Sequence, residues 1–396
     1  MAESPGRSGE HVSGWMDEAA ALESELVRLR RAVHRNPELG FEEVRTSALV
    51  RSTLERLAPE LVCRTVAKTG LLASLPGDGP VVLLRACIDA LPIEDQKDVE
   101  YASVVPGACH ACGHDGQIAM LAGALTLLAR RSPGVSVHGL FQPAEEIDAG
   151  ARTAIEEGLL DEIEPDLVLG FHGNPGLGAG QVGVKAGPIM ASITTIGCEV
   201  VGREGHGAEP HLTADAVTAA ASLVLDWQVA LGRRTDPRQP VVLSVGKLAA
   251  GVTANVIPGR AEILGTLRSL DPAIESELDR IVRDVARGVE ARTGTRVALS
   301  TDLVVPAVVN DPAAADVVAG AARSVLGEGA VVDATPTLGG DDFSWFLQQE
   351  TGCYFFIGER QKGRETYGWH DPTYDLDENA LVVGSAVLGA AAARAR

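Results

Sequence analysis

The 396-residue sequence predicts an α/β fold, a sheet domain with helices on both faces, interrupted by a smaller α+β module. Three observations predict it. Over the first half of the chain, short apolar runs of strand length alternate with helix-length amphipathic segments. The chain is too long for one ordinary core, and a prior of ~150 residues per domain suggests two domains, one inserted in the other. From about residue 190 to 303 the order changes to strand, helix, strand, strand, helix, strand.

Residues 1–15 are polar and carry Gly, Ser and Pro without the apolar core of a signal peptide, so they read as a flexible tail on a cytoplasmic protein. Leu22, Leu26, Leu29 and Val33 recur at three- and four-residue steps, which predicts a helix over 16–35 that ends before Pro37. A second helix is expected over 42–57. Strands are expected over 61–66, 70–75 and 81–88, the last apolar on both faces as a central strand is. A helix over 117–131 and strands over 135–141 and 167–171 continue the sheet domain. In the middle, strands 194–201, 241–248, 261–267 and 296–303 with helices 214–231 and 272–292 give β-α-β-β-α-β, the split ferredoxin-like unit. A strand over 353–357 and an apolar helix over 380–393 return to the first domain; that helix is shorter than the ~18 residues that span a bilayer. The domains expected are therefore the tail at 1–15, a sheet domain from 16–189 and 304–396, and an insert at 190–303.

Hydrophobic content of 45% is that of a globular protein, and 54 acidic against 34 basic residues give a net charge of −20. That balance argues against nucleic acid and anionic membrane surfaces as partners. The six cysteines are scattered through a chain far above the size that needs disulfide staples, so they read as reduced thiols of a cytosol.

The densest chemistry lies at 110–116, HACGHDG. Cys112 and His114 are two apart, so both side chains can point to one side, and thiolate beside imidazole suits zinc or a manganese-like divalent ion. Asp89 stands at the end of the central strand, where open α/β sheets bind ligands, and Cys87 shares its face. Glu145 and Glu146 follow the next strand, and His172 the one after. Each alone has an ordinary explanation: a buried thiol, a satisfied histidine, a solvated glutamate pair. Metal-competent residues at three successive strand ends are a pattern, and they converge if the sheet is laid out in sequence order. His206 in a glycine-rich loop, Asn255 before Val256-Ile257-Pro258, and a lone His370 complete the candidates; loop and turn chemistry account for the first two equally well.

Eight motifs then recur in a known order: LRRAVHRNPEL at 29–39, LRACIDALP at 84–92, HACGHDG at 110–116, FQPAEE at 141–146, HGAEPH at 206–211, NVIP at 255–258, GTLR at 265–268 and GGDDFS at 339–344. The sequence resembles the aminoacylase, hippurate hydrolase and indole-acetyl-amino-acid hydrolase family of dinuclear metallo-amidohydrolases, from about Leu26 to the C-terminus. The resemblance implies a catalytic α/β domain, an inserted lid and dimerisation domain, and cleavage of an N-acyl amino acid into a carboxylate and a free amine. It implies two divalent cations per subunit, zinc or manganese, on Cys112, His114, Glu146, His172 and His370. Glu145 matches the general base, which takes a proton from a metal-held water and passes it to the leaving amine. Asp89 matches the carboxylate that orients a ligand histidine. His206 matches a lid histidine that reaches the partner subunit's site in a homodimer, and Asn255 and Arg268 match lid residues that touch substrate.

The sequence departs from the family pattern where Cys87 replaces an aspartate, Gln117 a histidine, Cys109 a methionine and Asp341 a glutamate. A thiol in place of a carboxyl beside two cations predicts a weaker second metal unless Cys87 supplies thiolate, which tilts the site toward zinc or leaves it mononuclear. Two alternatives stand beside hydrolysis: acyl transfer or amide formation in a biosynthetic pathway, and non-catalytic binding of a metal or small molecule. Retention of Glu145 beside all five matched ligands argues against the last, because binding alone needs no base.

Overall fold

The structure is a computed structural model that describes residues 14–132, 134–361, 363 and 368–395. Most of the expected tail, residues 1–13, lies outside the described residues, while Gly14 and Trp15 already open a helix and Trp15 is buried. Helices α1 (Gly14–Ala20), α2 (Glu23–Arg35) and α3 (Val44–Leu57) lead into β1 (Val62–Val66), β2 (Gly70–Leu75) and β3 (Val81–Cys87). Then come α4 (His114–Arg131), β4 (Ser136–Gln142), α5 (Gly150–Glu156), α6 (Leu159–Ile163), β5 (Leu167–Gly178) and β6 (Val182–Val184). The middle of the chain supplies β7 (Ser192–Val201), α7 (Ala216–Arg234), β8 (Val241–Ala250), β9 (Arg260–Ser269), α8 (Glu275–Thr293) and β10 (Arg296–Val305). It ends with α9 (Pro312–Leu326), β11 (Val331–Asp333), β12 (Gly352–Arg360) and α10 (Asn379–Ala392).

Among the described residues these elements form two compact units: residues up to 187, 309–335 and from 342 onward, and residues 188–308 with 336–341. In the first, the sheet runs β1-β2-β4-β3-β5-β12-β6-β11. Its centre, β4-β3-β5-β12, is parallel. The residues there dictate that placement, because Val82–Cys87 is buried on both faces and only a covered strand tolerates that. Helix α4 is buried from His114 to Ala129, and α10 from Ala380 to Ala392, so neither shows a polar face. They meet through small residues: a Cβ at Gly123 would fall 2.1 Å from Ser385 Oγ, and one at Gly384 would fall 2.3 Å from Met120 Sδ.

The single helix expected over 16–35 is two, because the chain turns at Ala21 and Leu22 while the buried stripe of Ala19, Leu22, Leu26, Leu29 and Val33 continues across the break. Periodicity alone could not reveal that turn. Helix α9 lies in a stretch given no element from sequence; Asp311 caps it through the N–H groups of Ala313 and Ala314, with Pro312 at its first position.

In the second unit the order β8-β9-β7-β10 is antiparallel throughout. Helices α7 and α8 close its core around Trp227, which is fully buried and donates Nε1–H to the Val282 carbonyl at 3.0 Å. Among the described residues no helix is long and apolar enough to cross a membrane.

Candidate metal centre

Asp89 stands two residues beyond β3, where the backbone leaves the sheet. It is 1% exposed and organises its neighbours. One carboxylate oxygen accepts the Glu146 N–H at 2.9 Å, and the other lies 3.3 Å from His114 Nδ1. The Asp89 backbone carbonyl also accepts from His114 Nδ1 at 2.9 Å. With Nδ1 committed as the donor, Nε2 is the nitrogen left to bind, and it has no hydrogen-bond partner in this buried setting.

His114 opens α4, behind Gly113 in a left-handed conformation at φ 79°. That kink turns Cys112 and His114 toward one region. His172 was expected just past a strand; it lies inside β5, which runs on to Gly178 because Arg360 of β12 still pairs there. Its Nδ1 donates to the Gly173 carbonyl at 2.7 Å, and Nε2 lies 3.4 Å from Cys112 Sγ. Glu145 and Glu146 follow β4 and Pro143, after Ala144 at φ 54°. Glu145 approaches His114 Nε2 at 3.7 Å and Glu146 at 3.9 Å. His370, half exposed and at φ 68°, brings Nε2 to 3.4 Å from Glu146.

Two donor groups emerge, Cys112 with His114 and His172, and Cys112 with Glu146 and His370, each with its ligand atoms within 4.8 Å of one another. Cys112 belongs to both, so one sulfur lies between two potential cation positions. Cys87 forms a third group with His114 and Glu145, again within 4.8 Å. Its backbone N–H is held by Gln117 Oε1 at 3.2 Å.

Electrostatics fit a cation. Burial, followed by the charges of Glu146 and Glu145, drives the Cys112 thiol well above its ordinary value. Burial likewise raises Glu146, against the opposing pull of His114 and His370. Burial alone would depress His114, but the Asp89 contacts and the Glu146 charge carry it up to about 9. A buried thiol, two carboxylates and an unpartnered imidazole nitrogen form a set whose desolvation and mutual repulsion a divalent ion relieves. Thiolate, imidazole and carboxylate are zinc-type donors.

Three side chains in this region went unnoticed in the sequence. Trp369 donates Nε1–H to the Gly173 carbonyl at 2.9 Å and sets its ring edge-on to His172, 5.2 Å between centroids. Glu359 and Tyr374 are buried against each other beneath the same loops, and burial lifts the Glu359 carboxyl to about 8. Only the position of Trp369 beside His370 offered any signal.

His206, Asn255 and Arg268 belong to the second unit. His206 is exposed and accepts the Ala208 N–H at Nδ1, 3.1 Å, while its backbone pairs with Val256. Asn255 lies alongside; its carbonyl accepts the Gly207 N–H at 2.9 Å. Arg268 donates to the Leu338 carbonyl at 3.0 Å. The structure thus brings the His206 and Asn255 loops together.

The profile of the family described as peptidase family M20/M25/M40 matches residues 83–394. An N-acetyl-L-cysteine deacetylase of Bacillus subtilis is 35% identical over 379 residues, covering 95% of this chain and 89% of that protein. Thermostable carboxypeptidase 2 of Saccharolobus solfataricus is 35% identical over 372 residues, covering 92% of this chain and 93% of its own. The crystal structure of a Bacillus subtilis protein described as a dinuclear metal-binding peptidase of the M20 family superposes with a TM-score of 0.83 at 34% identity, covering 94% of this chain and 98% of that one. With a donor set suited to divalent cations and relatives of this extent, the chain belongs to peptidase family M20/M25/M40 and is a metal-dependent hydrolase of amide bonds.

Proposed function

We propose that the protein hydrolyses a small N-acyl amino acid to a carboxylate and a free amino acid, with Glu145 as general base beside two divalent cations. The observation that carries this reading is the pair of donor groups sharing Cys112, with the Glu145 carboxylate 3.7 Å from the His114 nitrogen that faces them. A deacetylase of an N-acylated amino acid and a carboxypeptidase among the relatives support a substrate whose scissile amide lies next to an amino-acid carboxylate.

In the proposed arrangement Cys112, His114 and His172 hold one cation and Cys112, Glu146 and His370 the other, zinc or manganese. Bound there, such ions supply Lewis acidity that lowers the pKa of a water and polarises a carbonyl. Glu145 takes the proton of the attacking water and delivers it to the departing nitrogen, which must leave as an amine. Asp89 holds the His114 tautomer. Cys87 adds a second thiol near His114 and favours zinc over manganese.

His206 stabilises the oxyanion from the partner subunit of a homodimer, and Asn255 and Arg268 contact substrate. An exposed apolar row on α7, Val217, Leu225 and Val229, and the edge strand β8 with exposed Val242 and Leu248, support association of the second unit. The six free thiols support a cytosolic setting. The test is turnover of a panel of N-acyl amino acids with added zinc or manganese, with and without an amine acceptor. Free amino acid released without acceptor is expected; product formed only with acceptor would replace hydrolysis by acyl transfer.

A further inference from the structure

Resting on the metal-centre reading above, we propose that Glu359 is a positioning residue for that centre. Its buried carboxyl is the common seat of the turn carrying Cys112 and His114, the strand segment carrying His172, and the loop that follows His370.

The placement follows from register. On β12, Phe356 pairs with His172, Ile357 with Gly173 and Gly358 with Asn174, and Glu359 occupies the register shift before Arg360, beside the metal-ligand segment of β5. It is 1% exposed. Oε2 accepts the hydroxyl of Tyr374, which is 3% exposed and four residues after His370; Oε1 has no hydrogen-bond partner.

Three glycines face this carboxyl. A Cβ at Gly173 would fall 1.9–2.2 Å from it. One at Gly113 would fall 3.4 Å from Oε2 and 2.9 Å from the Tyr374 hydroxyl, and one at Gly116 3.4 Å from Oε1. Gly113 separates Cys112 from His114, and Gly173 follows His172, so both ligand segments rest on one group. Trp369 holds the Gly173 carbonyl at 2.9 Å, so that residue is fixed at its backbone oxygen and at its Cα.

A hydrocarbon side chain would fill this space without the cost of burying a carboxyl that leaves one oxygen unpaired. What the carboxyl adds is the Tyr374 bond, which ties the third ligand-bearing loop to the same point. Displacing any of these segments by a few tenths of an ångström moves a ligand atom.

The test is zinc affinity by chelator competition on the full chain, the cobalt-substituted visible spectrum, and urea stability of the metal-free protein, for wild type, Glu359→Gln, Glu359→Ala, Gly173→Ala and the Gly173→Ala/Glu359→Ala double variant. Glu359→Ala should weaken zinc binding by about 10–100-fold, the range seen when support of a metal ligand is removed, and shift the cobalt bands. Glu359→Gln, which keeps the shape and an acceptor for Tyr374, should stay within about threefold. Gly173→Ala should weaken zinc binding by at least about tenfold in wild type and add little in the Glu359→Ala background, where the overlapping carboxyl is gone.

Zinc affinity unchanged in Glu359→Ala, or an equal effect of Gly173→Ala in both backgrounds, overturns the proposal while leaving the metal-centre reading intact. A wild-type chain that binds no zinc overturns both. If Glu359→Ala does not fold, loss of affinity in Gly173→Ala with retention in Glu359→Gln supports the proposal, and wild-type affinity in Gly173→Ala overturns it.

Discussion

Replacing Asp89 by Asn isolates the carboxylate that organises the centre. Asp89 makes three contacts: Oδ2 with the Glu146 N–H at 2.9 Å, Oδ1 with His114 Nδ1 at 3.3 Å, and its backbone carbonyl with the same nitrogen at 2.9 Å. Asparagine leaves the backbone contact in place. Its single carboxamide oxygen can keep the Glu146 N–H, but its amide then presents N–H to the N–H of His114, two donors facing each other. The loss is therefore one charge-assisted contact at full burial, about 1.5–3 kcal/mol. Expressed at the metal, that is roughly 10–100-fold in zinc affinity. Chelator competition with purified Asp89→Asn measures it, and the fold, held by the whole first unit, should remain cooperative in urea. Zinc affinity within about threefold of wild type would refute the reasoning, because the backbone carbonyl would then suffice to orient His114.

Three further outcomes follow from particular contacts. Arg85→Leu removes the counter-charge of Asp342, which is fully buried, bonded to Arg85 at 2.6 Å and otherwise held by neutral donors such as Gln142 Nε2 and the Ala151 N–H, and should cost about 3–5 kcal/mol in urea unfolding; a loss below about 1 kcal/mol would contradict a buried ion pair here. Cys112→Ser removes the donor common to both groups, so zinc content should fall from about two per chain toward none, and retention of both ions would show that the sulfur is not shared. Burial raises Glu359 from an ordinary value of 4.5 to about 8, so the folded chain keeps a proton that the unfolded chain releases. Its contribution to stability is complete below pH 4.5 and is lost as pH climbs through about 8. Metal-free wild type should accordingly lose stability relative to Glu359→Gln by up to about 1.4 kcal/mol per pH unit across that window; parallel profiles would contradict it.

The α/β class and the candidate donors were legible because each donor sits in a short motif beside an apolar run, where residue type and period carry the signal. Cys112, His114, Glu145, Glu146 and His172 could be gathered from such runs, whereas His370 came only through resemblance, since nothing in its spacing sets it apart. The end of β5 was misjudged because Gly173, Asn174, Pro175 and Gly176 carry no apolar strand signal, while pairing of Gly173, Asn174 and Gly178 with β12 carries the strand on. Glu359 and Tyr374 left no trace in the sequence, and Trp369 only its place beside His370, because their roles arise where β12, the following loop and the turn before α4 meet, and one-dimensional spacing does not encode that meeting. The break between α1 and α2 was hidden for the opposite reason, a local turn inside an unbroken apolar stripe.

The proposed chemistry puts Glu145 to work as a base beside two bound cations. Its most direct test is elemental mass spectrometry of untagged wild type and Glu145→Gln, paired with hydrolysis of N-acetyl amino acids by the same preparations. About two metals per chain are expected in both, with turnover lowered at least ~100-fold in Glu145→Gln alone. Glu145→Gln turning over within about tenfold of wild type at full metal content, or a wild type that holds two metals and hydrolyses no N-acyl amino acid, would contradict it.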